Sequence, residues 1–410
     1  SDETNFLLKF SKSEKRYIMS EERKTIYLCL AHMSEEGWEQ KYVKEAFDTN
    51  WVVPMGPNVN AFEKDLEAFA NSKSDGSQPL DRKVVCLSAG TAAVHLALIG
   101  CGVKAGDEVL VQSYTFCASS HPITYLGAKP IFIGSEGETW NMDPQLLEKA
   151  IIDRKEKTGK YPKAIIPVHL YGMPAKLDEI CAIAEKYNIP ICEDAAEAIG
   201  SEYKGQKCGT FGEFGALSFN GNKMITTSGG GALICRTEEE AKRTIFYATQ
   251  AREDRPYYYH KHIGYNYRLS NICAGIGRGQ MTVLEQYIAR RRAIHTLYSE
   301  NFADTEGIHV KQNPSSEYDS NFWLTCIEVD AKKCNNKTAN DIRIHLEQEN
   351  IESRLLWRPM HMQPIFSRNA YYGNKIAETI FERGLCLPSG PSLTDEQILE
   401  VVSSIKKFIR

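Results

Sequence analysis

Short apolar runs alternate with longer amphipathic stretches along most of this chain. Seven apolar runs, each bounded by turn residues, are typical of buried strands. They span residues 84–87, 108–112, 130–133, 164–168, 190–192, 216–219 and 231–235. Helical periodicity covers residues 35–47, 59–70 and 177–187. Because helical segments separate several of the strands, the pattern predicts an α/β fold with a mostly parallel seven-stranded sheet covered on both faces.

A second α/β unit follows the predicted sheet. A long helical pattern over residues 281–302 leads out of it and carries three arginines at 290–292, which we expect on a solvated face of the helix. A strand-like stretch at 322–329 and helical patterns at 339–349 and 395–408 come next. These elements suffice for a smaller C-terminal α/β domain.

Two predicted domains and a tail therefore make up the chain. The large domain spans residues 25–285 and the small domain spans residues 286–410. Residues 1–24 are polar and charged and lack the apolar segment of a signal peptide, so we expect a disordered tail there.

The composition is that of an ordinary globular enzyme. Of 410 residues, 42% are hydrophobic and 25% are charged, which is a common balance. The net charge of −4 offers no basic face for nucleic acid. The 12 cysteines contain no Cys-x-x-Cys pair and accompany no histidine cluster, so neither a metal site nor a disulfide framework is predicted. No apolar stretch reaches the ~18 residues that a membrane span needs, and we expect a cytoplasmic protein.

One lysine stands out at the end of an apolar strand. Lys223 closes the run Ser218-Phe219-Asn220-Gly221-Asn222-Lys223 and is soon followed by a glycine-rich turn at 229–231. A lysine held there could form a Schiff base with an aldehyde. A surface lysine in a loop is the simpler alternative for any single lysine.

Two further features upstream change the interpretation. Asp194 ends an apolar strand, where an acid could keep a pyridine nitrogen protonated, although taken alone it could also be a helix N-cap. Gly90 and Thr91 join a strand to an apolar helix, whose exposed N–H groups could bind phosphate. The pattern predicts a site for pyridoxal phosphate (PLP), because it contains, in this order, a turn that could bind phosphate, an acid that could pair with a protonated pyridine nitrogen, and a lysine.

The chain resembles the DegT/DnrJ/EryC1/StrS family of PLP-dependent nucleotide-sugar aminotransferases. The resemblance runs from about Ile26 to the C-terminus and implies the type I aspartate aminotransferase fold. It rests on Gly90-Thr91-Ala92-Ala93, Gly106-Asp107-Glu108-Val109, Thr115-Phe116, Val168-His169-Leu170-Tyr171-Gly172, Glu193-Asp194-Ala195-Ala196-Glu197, the lysine run and Gly264-Tyr265-Asn266-Tyr267-Arg268-Leu269-Ser270. The segments 226–231 and 352–357 look closest to the UDP-N-acetylbacillosamine-pathway aminotransferases, which act on UDP-2-acetamido-4-keto-2,6-dideoxyhexose.

The resemblance implies a role for each cofactor residue. Gly90, Thr91 and Ser218 would bind the PLP phosphate. Phe116 would stack on the pyridine ring, and Glu197, at a position that is often glutamine, would contact the ring hydroxyl. Asn266 matches an asparagine that reaches the PLP phosphate of the neighbouring subunit, which implies a homodimer with shared active sites.

Substrate contacts also follow from the resemblance. It assigns the nucleotide-sugar channel to two groups of residues, Asn50, Trp51, Val52 and Val53, and Arg354, Leu355, Leu356, Trp357, Met360 and His361. Packing between domains is the alternative for Trp51 and Trp357. His169 is assigned to the active-site wall, with a hydrogen-bonded core histidine as the alternative.

The predicted activity is transfer of an amino group from L-glutamate to C4 of a nucleotide-linked 4-keto-6-deoxy sugar. A related 3-dehydratase branch replaces the lysine by histidine, and Lys223 argues against it. A branch that aminates C3 typically carries a proline in the lysine segment, which this chain lacks. A perosamine-type GDP-sugar aminotransferase and a non-catalytic regulatory protein are the remaining alternatives. The regulatory protein would be expected to have lost Lys223 or Asp194.

Overall fold

The structure, a computed structural model, describes residues 24–410. The tail predicted for residues 1–24 therefore lies outside the described residues, apart from Lys24. The strands are β1 (Lys83–Leu87), β2 (Glu108–Gln112), β3 (Lys129–Ile133), β4 (Ala164–Ile166), β5 (Cys192–Asp194), β6 (Glu202–Tyr203), β7 (Gln206–Lys207), β8 (Phe214–Ser218), β9 (Gly231–Cys235), β10 (Ile308–Val310), β11 (Tyr318–Asp319), β12 (Thr325–Val329), β13 (Arg354–Leu355), β14 (Tyr371–Tyr372) and β15 (Gly384–Leu387). The α-helices are α1 (Trp38–Asp48), α2 (Pro57–Asn71), α3 (Gly90–Gly100), α4 (His121–Tyr125), α5 (Pro144–Thr158), α6 (Leu177–Tyr187), α7 (Glu238–Ala248), α8 (Asn271–Met281), α9 (Leu284–Phe302), α10 (Ala339–Gln348), α11 (Ile376–Arg383) and α12 (Asp395–Ile409).

The seven predicted strands are present and form one mostly parallel sheet. Strand β2 pairs in parallel with β3 and β4, and β5 pairs in parallel with β8. Two parallel bridges, Ile165 to Ile191 and Val168 to Asp194, join these two groups. Strand β9 lies between β8 and β1 and runs antiparallel to both. The order is therefore β3-β2-β4-β5-β8-β9-β1, which confirms the predicted fold class.

Apolar side chains cover both faces of this sheet. Along β1, Val85 and Leu87 belong to one core with α3, whereas Val84 and Cys86 belong to a second core with α2 and α9. Successive side chains of a strand point to opposite faces, so a strand that is buried on both sides reads as a continuous apolar run. This explains why the strands lack a polar–apolar alternation.

The C-terminal part builds a second, antiparallel sheet in the order β10-β12-β15-β13. Its core contains residues of α9, α10 and α12, and Ile26 near the start of the described chain also belongs to it. Helix α12 begins at a capping box in which Thr394 and Gln397 exchange hydrogen bonds. Strand β14 leaves this part and pairs in parallel with β3, so contacts cross the predicted boundary at residue 285. The domain limits stay a prediction.

The arginines at 290–292 do not share one environment. The side chain of Arg290 is 26% exposed and that of Arg292 is 34% exposed, and each pairs with an aspartate. Arg291 is 0% exposed. The expectation of a solvated face is therefore wrong for Arg291, which points into the protein.

Within residues 24–410, no helix is both long enough and apolar enough to cross a membrane.

Candidate active site

A cavity of about 320 Å³ opens at the carboxyl ends of β5 and β8, next to the first turn of α3. This edge of a parallel sheet is where α/β proteins bind their ligands. Nine of the predicted site residues line the cavity: Gly90, Thr91, Phe116, Asp194, Glu197, Ser218, Lys223, Arg354 and Trp357. Positions far apart in the sequence thus meet in one place.

The first turn of α3 forms a cradle for an anion. Helix α3 begins at Gly90 after an extended Ala89, and no side chain caps its free N–H groups. A Cβ at Gly90 would lie 3.0 Å from Ser218 Cβ and 3.3 Å from the carbonyl oxygen of Leu217, so a larger residue would crowd β8. The N-terminal N–H groups and the Ser218 hydroxyl together suit a phosphate.

Asp194 is a buried acid with a defined orientation. Its side chain is at the end of β5 and is 5% exposed. Ser119 Oγ donates to Asp194 Oδ2 at 2.5 Å, and the backbone N–H of Ala196 donates to Oδ1 at 3.1 Å. These two hydrogen bonds fix the orientation of the Asp194 carboxyl group at the cavity.

Lys223 projects its amine into the same cavity. Its Nζ atom lies 3.9 Å from Glu197 Oε1 and 4.4 Å from the centroid of the Trp323 ring. The side chain is 12% exposed. The amine therefore faces an acid on one side and an aromatic ring on another, which restricts where it can react.

Glu197 is buried next to this amine. Burial raises the pKa of the Glu197 carboxyl to about 7, and the charge of Asp194 adds to that shift, while Lys223 and the Tyr171 N–H oppose it. The Tyr171 N–H donates to Glu197 Oε2 at 2.6 Å. A carboxyl with this pKa can change its protonation state near neutral pH.

We expect Glu197 to make the stability of the cofactor-stripped protein pH-dependent. The folded carboxyl keeps its proton up to about pH 7, whereas its ordinary pKa is 4.5. Between these values the folded state holds more protons than the unfolded state, so stability falls as the pH rises. Relative to Glu197→Gln, the wild type should lose on the order of 2 kcal/mol between about pH 5 and about pH 8 in urea unfolding. A constant difference between the two proteins over this range would contradict the shift.

Two aromatic residues of the lining, Tyr171 and Trp323, were missed by the sequence interpretation. Tyr171 has a left-handed backbone with φ of 54°, and its hydroxyl accepts the Trp357 backbone N–H at 2.9 Å. The motif 168–172 contained Tyr171 but gave it no role. Trp323 comes from the loop before β12, and nothing in its sequence context indicates a place beside Lys223.

The structure places His169 in the core. Its exposure is 0%, its Nε2 lies 2.9 Å from Glu193 Oε1, and its Nδ1 accepts the Ala175 N–H at 3.0 Å. It lies outside the lining of the cavity. The structure therefore favours the alternative of a hydrogen-bonded core histidine over a place in the active-site wall.

Met360 and His361 also lie outside the lining. Met360 is buried, and its N–H donates to the Ser113 carbonyl oxygen at 2.7 Å. His361 Nδ1 lies 2.7 Å from Ser113 Oγ, its Nε2 lies 2.9 Å from Glu378 Oε1, and its ring stacks on Tyr371. Their contacts are with the protein, so the structure does not bring them to the cavity.

The segment from Asn50 to Val53 is exposed and also outside the lining. Trp51, Val52 and Val53 are 41%, 50% and 39% exposed. Asn271 anchors the backbone of this segment. Its side-chain Nδ2 donates to the Trp51 carbonyl oxygen, and its backbone N–H donates to the Val53 carbonyl oxygen, both at 2.9 Å. Asn266 is exposed as well, forms a bridge to Thr249 and is not among the residues that line the cavity of its own chain.

The residues of the cavity fit PLP. PLP requires an anchor for its phosphate, an acid for its pyridine nitrogen and a lysine for its aldehyde. The cradle at Gly90, the oriented carboxylate of Asp194 and the amine of Lys223 line one cavity, and a side chain at Gly90 would crowd the Ser218 side chain beside the cradle. Phe116 is 51% exposed at the cavity, where its ring is free to stack on a planar ligand.

Comparison with known proteins identifies the family. Residues 33–406 match the family model of the DegT/DnrJ/EryC1/StrS aminotransferases. EpsN of Bacillus subtilis (strain 168), which bears the name of a pyridoxal phosphate-dependent aminotransferase, is 44% identical over 92% of this chain and 95% of its own. The GDP-perosamine synthase of Escherichia coli O157:H7 is 36% identical over 93% and 98% of the two chains.

Two further similarities concern the reaction and the cofactor. The UDP-N-acetyl-3-dehydro-alpha-D-glucosamine 3-aminotransferase of Acidithiobacillus ferrooxidans is 32% identical over 80% of this chain and 84% of its own. The structure of Spr1654 of Streptococcus pneumoniae in its PLP form superimposes with a TM-score of 0.82 at 25% identity, over 94% and 99% of the two chains. The chain belongs to the DegT/DnrJ/EryC1/StrS aminotransferase family and is a PLP-dependent sugar aminotransferase.

Proposed function

We propose that this enzyme transfers the amino group of L-glutamate to C4 of a nucleotide-linked 4-keto-6-deoxy sugar, with UDP-2-acetamido-2,6-dideoxy-hexos-4-ulose as the substrate. The product would be a UDP-4-amino-4,6-dideoxy-N-acetylhexosamine for the synthesis of a surface polysaccharide or glycan. The observation that carries the proposal is the convergence of Lys223, Asp194 and Glu197 on one cavity beside the anion cradle.

Each of these residues has a distinct task. When bound, PLP supplies an electron sink at the carbon that loses its proton. Lys223 would hold PLP through its aldehyde and would carry a proton at its Nζ atom. Asp194 would keep the ring nitrogen protonated, and Glu197 would orient the ring through its hydroxyl. The donor and the acceptor use the same site in turn, so ping-pong kinetics are expected.

The mouth of the cavity offers contacts for the nucleotide part. Arg354 lines the cavity with a side chain that is 55% exposed, and its guanidinium can bind a diphosphate with two parallel hydrogen bonds. Trp357, whose ring centroid lies 5.5 Å from that of Phe116, offers a flat surface for a base or sugar. An anion and a planar group can therefore be held together at the entrance.

Amination at C4 is favoured over C3 by the lysine segment. Asn220-Gly221-Asn222-Lys223 lacks the proline expected in the C3 branch. The relative named as a synthase of GDP-perosamine, a 4-amino sugar nucleotide, is 36% identical, whereas the 3-aminotransferase is 32% identical over a shorter part of the chain. The same similarity supports GDP-perosamine synthesis as the second candidate function.

The test supplies both keto sugars. The purified protein is incubated with L-glutamate and either UDP-4-keto-6-deoxy-GlcNAc or GDP-4-keto-6-deoxymannose, and the product is identified by NMR. We expect a new amine at C4 with the UDP sugar. Turnover of the GDP sugar alone would establish the second candidate, and an amine at C3 would overturn the proposal.

We also propose that the enzyme is a homodimer with shared active sites. Asn266 is exposed in its own chain and outside the cavity lining, as expected for a residue that acts in the neighbouring site. Around the segment predicted to line the substrate channel, Phe47, Val52 and Met55 are 59%, 50% and 61% exposed. Exposed apolar patches are typical of binding surfaces, and the proposal assigns these residues to contacts with the partner subunit.

Mixing two inactive variants should restore part of the activity if Asn266 acts across the interface. Lys223→Ala subunits supply an intact asparagine, and Asn266→Asp subunits supply an intact lysine. One of the two sites in a mixed dimer is then complete, while the other carries both defects. The aspartate is chosen because its charge repels the phosphate. Activity is measured after mass spectrometry has shown that subunits exchange.

A mixture of Lys223→Ala with Lys223→Arg subunits is the control for this experiment, because no complete active site can form in it. If subunits exchange and the Lys223→Ala and Asn266→Asp mixture remains as inactive as this control, Asn266 does not act in the partner's site.

A further inference from the structure

A buried arginine lies behind the reactive lysine. Arg291 on α9 is 0% exposed, and its guanidinium donates to the carbonyl oxygens of Trp323 at 2.5 Å, Ser389 at 3.2 Å and Lys223 at 3.4 Å. It also lies 3.2 Å from Cys29 Sγ. Among residues 24–410, its Nε atom has no hydrogen-bond partner. Burying a cation in this way is costly, so its contacts merit a functional explanation.

Two of the groups that Arg291 binds also hold the residue before the lysine. The Trp323 indole N–H donates to the Asn222 carbonyl oxygen at 2.7 Å, and Cys29 Sγ donates to the same oxygen at 3.0 Å. The Trp323 ring in turn lies 4.4 Å from the Lys223 amine. We call Arg291, Trp323 and Cys29 the clamp. Its three members come from chain segments far from β8 in sequence.

The lysine segment needs such support. Between the end of β8 at Ser218 and the start of β9 at Gly231 the backbone has no regular secondary structure. Three backbone bonds lie in this segment, each at 2.9 Å: the Phe219 N–H donates to the Gly230 carbonyl oxygen, the Thr227 N–H to the Phe219 carbonyl oxygen, and the Lys223 N–H to the Asn220 carbonyl oxygen. Only the last of these backbone bonds, which closes a turn, involves Lys223. A turn of this kind does not by itself fix the direction of a long side chain, because few of its groups are bonded to the sheet.

We propose that Arg291 is a positioning residue that acts on Lys223 through the clamp. By bonding to the carbonyls of Trp323 and Lys223 at once, it holds the peptide at Asn222 and directs the amine toward Glu197. Helix α9 and the loop before β12 thereby take part in placing the reactive atom. This inference rests on the proposed role of Lys223.

Hydrogen exchange of the PLP-loaded, full-length enzyme tests the clamp without reference to turnover. In Arg291→Met the side chain keeps much of its volume but loses every hydrogen bond. We expect amides in peptides covering residues 220–227 to exchange about tenfold faster or more, the size expected from losing a hydrogen bond of a charged group. kcat should fall at least as much, while KM for the keto sugar changes little, because the substrate does not touch Arg291.

Arg290→Met is the matched control. Arg290 precedes Arg291 on α9 but binds Asp395 and the Leu393 carbonyl oxygen, away from the lysine segment. It should leave exchange at 220–227 and kcat unchanged. Trp323→Phe keeps an aromatic ring and removes the indole N–H, and we expect faster exchange in the same peptides.

Three results would overturn the inference. The first is that amides at 220–227 exchange in Arg291→Met at the same rate as in the wild type. The second is that amide exchange accelerates equally in all peptides, which would show that Arg291 supports the core in general. If Arg291→Met does not fold, Arg291→Lys decides, because the ammonium lacks the two separate nitrogens with which the guanidinium binds the carbonyl oxygens of Trp323 and Lys223; unchanged exchange and kcat in that variant would be the third. Failure of the proposed function is distinguishable, since the wild type would then convert neither keto sugar while the exchange comparison remains valid.

Discussion

Lys223→Ala is expected to abolish turnover. The same amine would bind the aldehyde of PLP and carry the proton, so its loss should lower kcat by roughly 10⁴-fold or more. The amine makes its contacts inside a cavity, 3.9 Å from Glu197 and 4.4 Å from the Trp323 ring, and not in a packed core. We therefore expect the melting temperature to change little. Activity with the keto sugar and glutamate is the measurement.

A second variant and a chemical label separate the roles of charge and amine. Lys223→Arg keeps a cation next to Glu197 and Trp323 but cannot bind the aldehyde covalently at the same atom, so it should be as inactive as Lys223→Ala. Borohydride reduction of the wild type, followed by peptide mass mapping, should label Lys223. A label on any other lysine would show that the assignment is wrong.

The Asp194→Asn variant is expected to retain bound PLP and to lose most of its kcat. A neutral amide cannot hold a protonated ring nitrogen as a carboxylate does, and kcat should fall by roughly 10²–10³-fold, the scale of a lost preorganised charge. The fold should tolerate the change, because the Ser119 hydroxyl and the Ala196 N–H are the donors at this site and the amide oxygen can still accept from one of them. Steady-state kinetics and the absorbance of bound PLP are the measurements.

The neighbouring acid on the same strand is the matched control. Glu193 points to the opposite face of β5, where it binds His169 and the N–H groups of Gly209, Phe211 and Gly212. Glu193→Gln should therefore lower the melting temperature and leave kcat of the folded enzyme nearly unchanged. Near-wild-type kcat in Asp194→Asn would show that this carboxylate does not support the electron sink.

Much of the site could be predicted because its chemistry lies at the ends of predictable strands. Asp194 and Ser218 end apolar runs, and Gly90 follows another, so the parallel sheet brings them to one edge. Strand positions depend on local apolar patterns, which a single sequence displays. The resemblance to a known family then extended these positions to Phe116 and Glu197, and the cavity contains both.

Residues whose role depends on distant contacts were assigned less well. His169 belongs to the family motif, yet both of its ring nitrogens are bonded within the core. The arginines at 290–292 read as a uniform charged run, but consecutive helical residues point about 100° apart, so one of them can face the interior while its neighbours face water. The residues adjacent in sequence to His169 and to Arg291 do not show that these two side chains are buried.

The sequence by itself determined the fold class, the positions of the seven strands along the chain and the set of cradle, acid and lysine. These features follow from local periodicity, strand ends and residue chemistry. Only the packed chain shows that Trp323 lies next to the Lys223 amine, that Glu197 is buried beside the charges of Lys223 and Asp194, and that Arg291 is buried behind the lysine. Contacts such as that between Trp323 and Lys223 join segments about a hundred residues apart, and their geometry arises only when the two parts of the chain pack together.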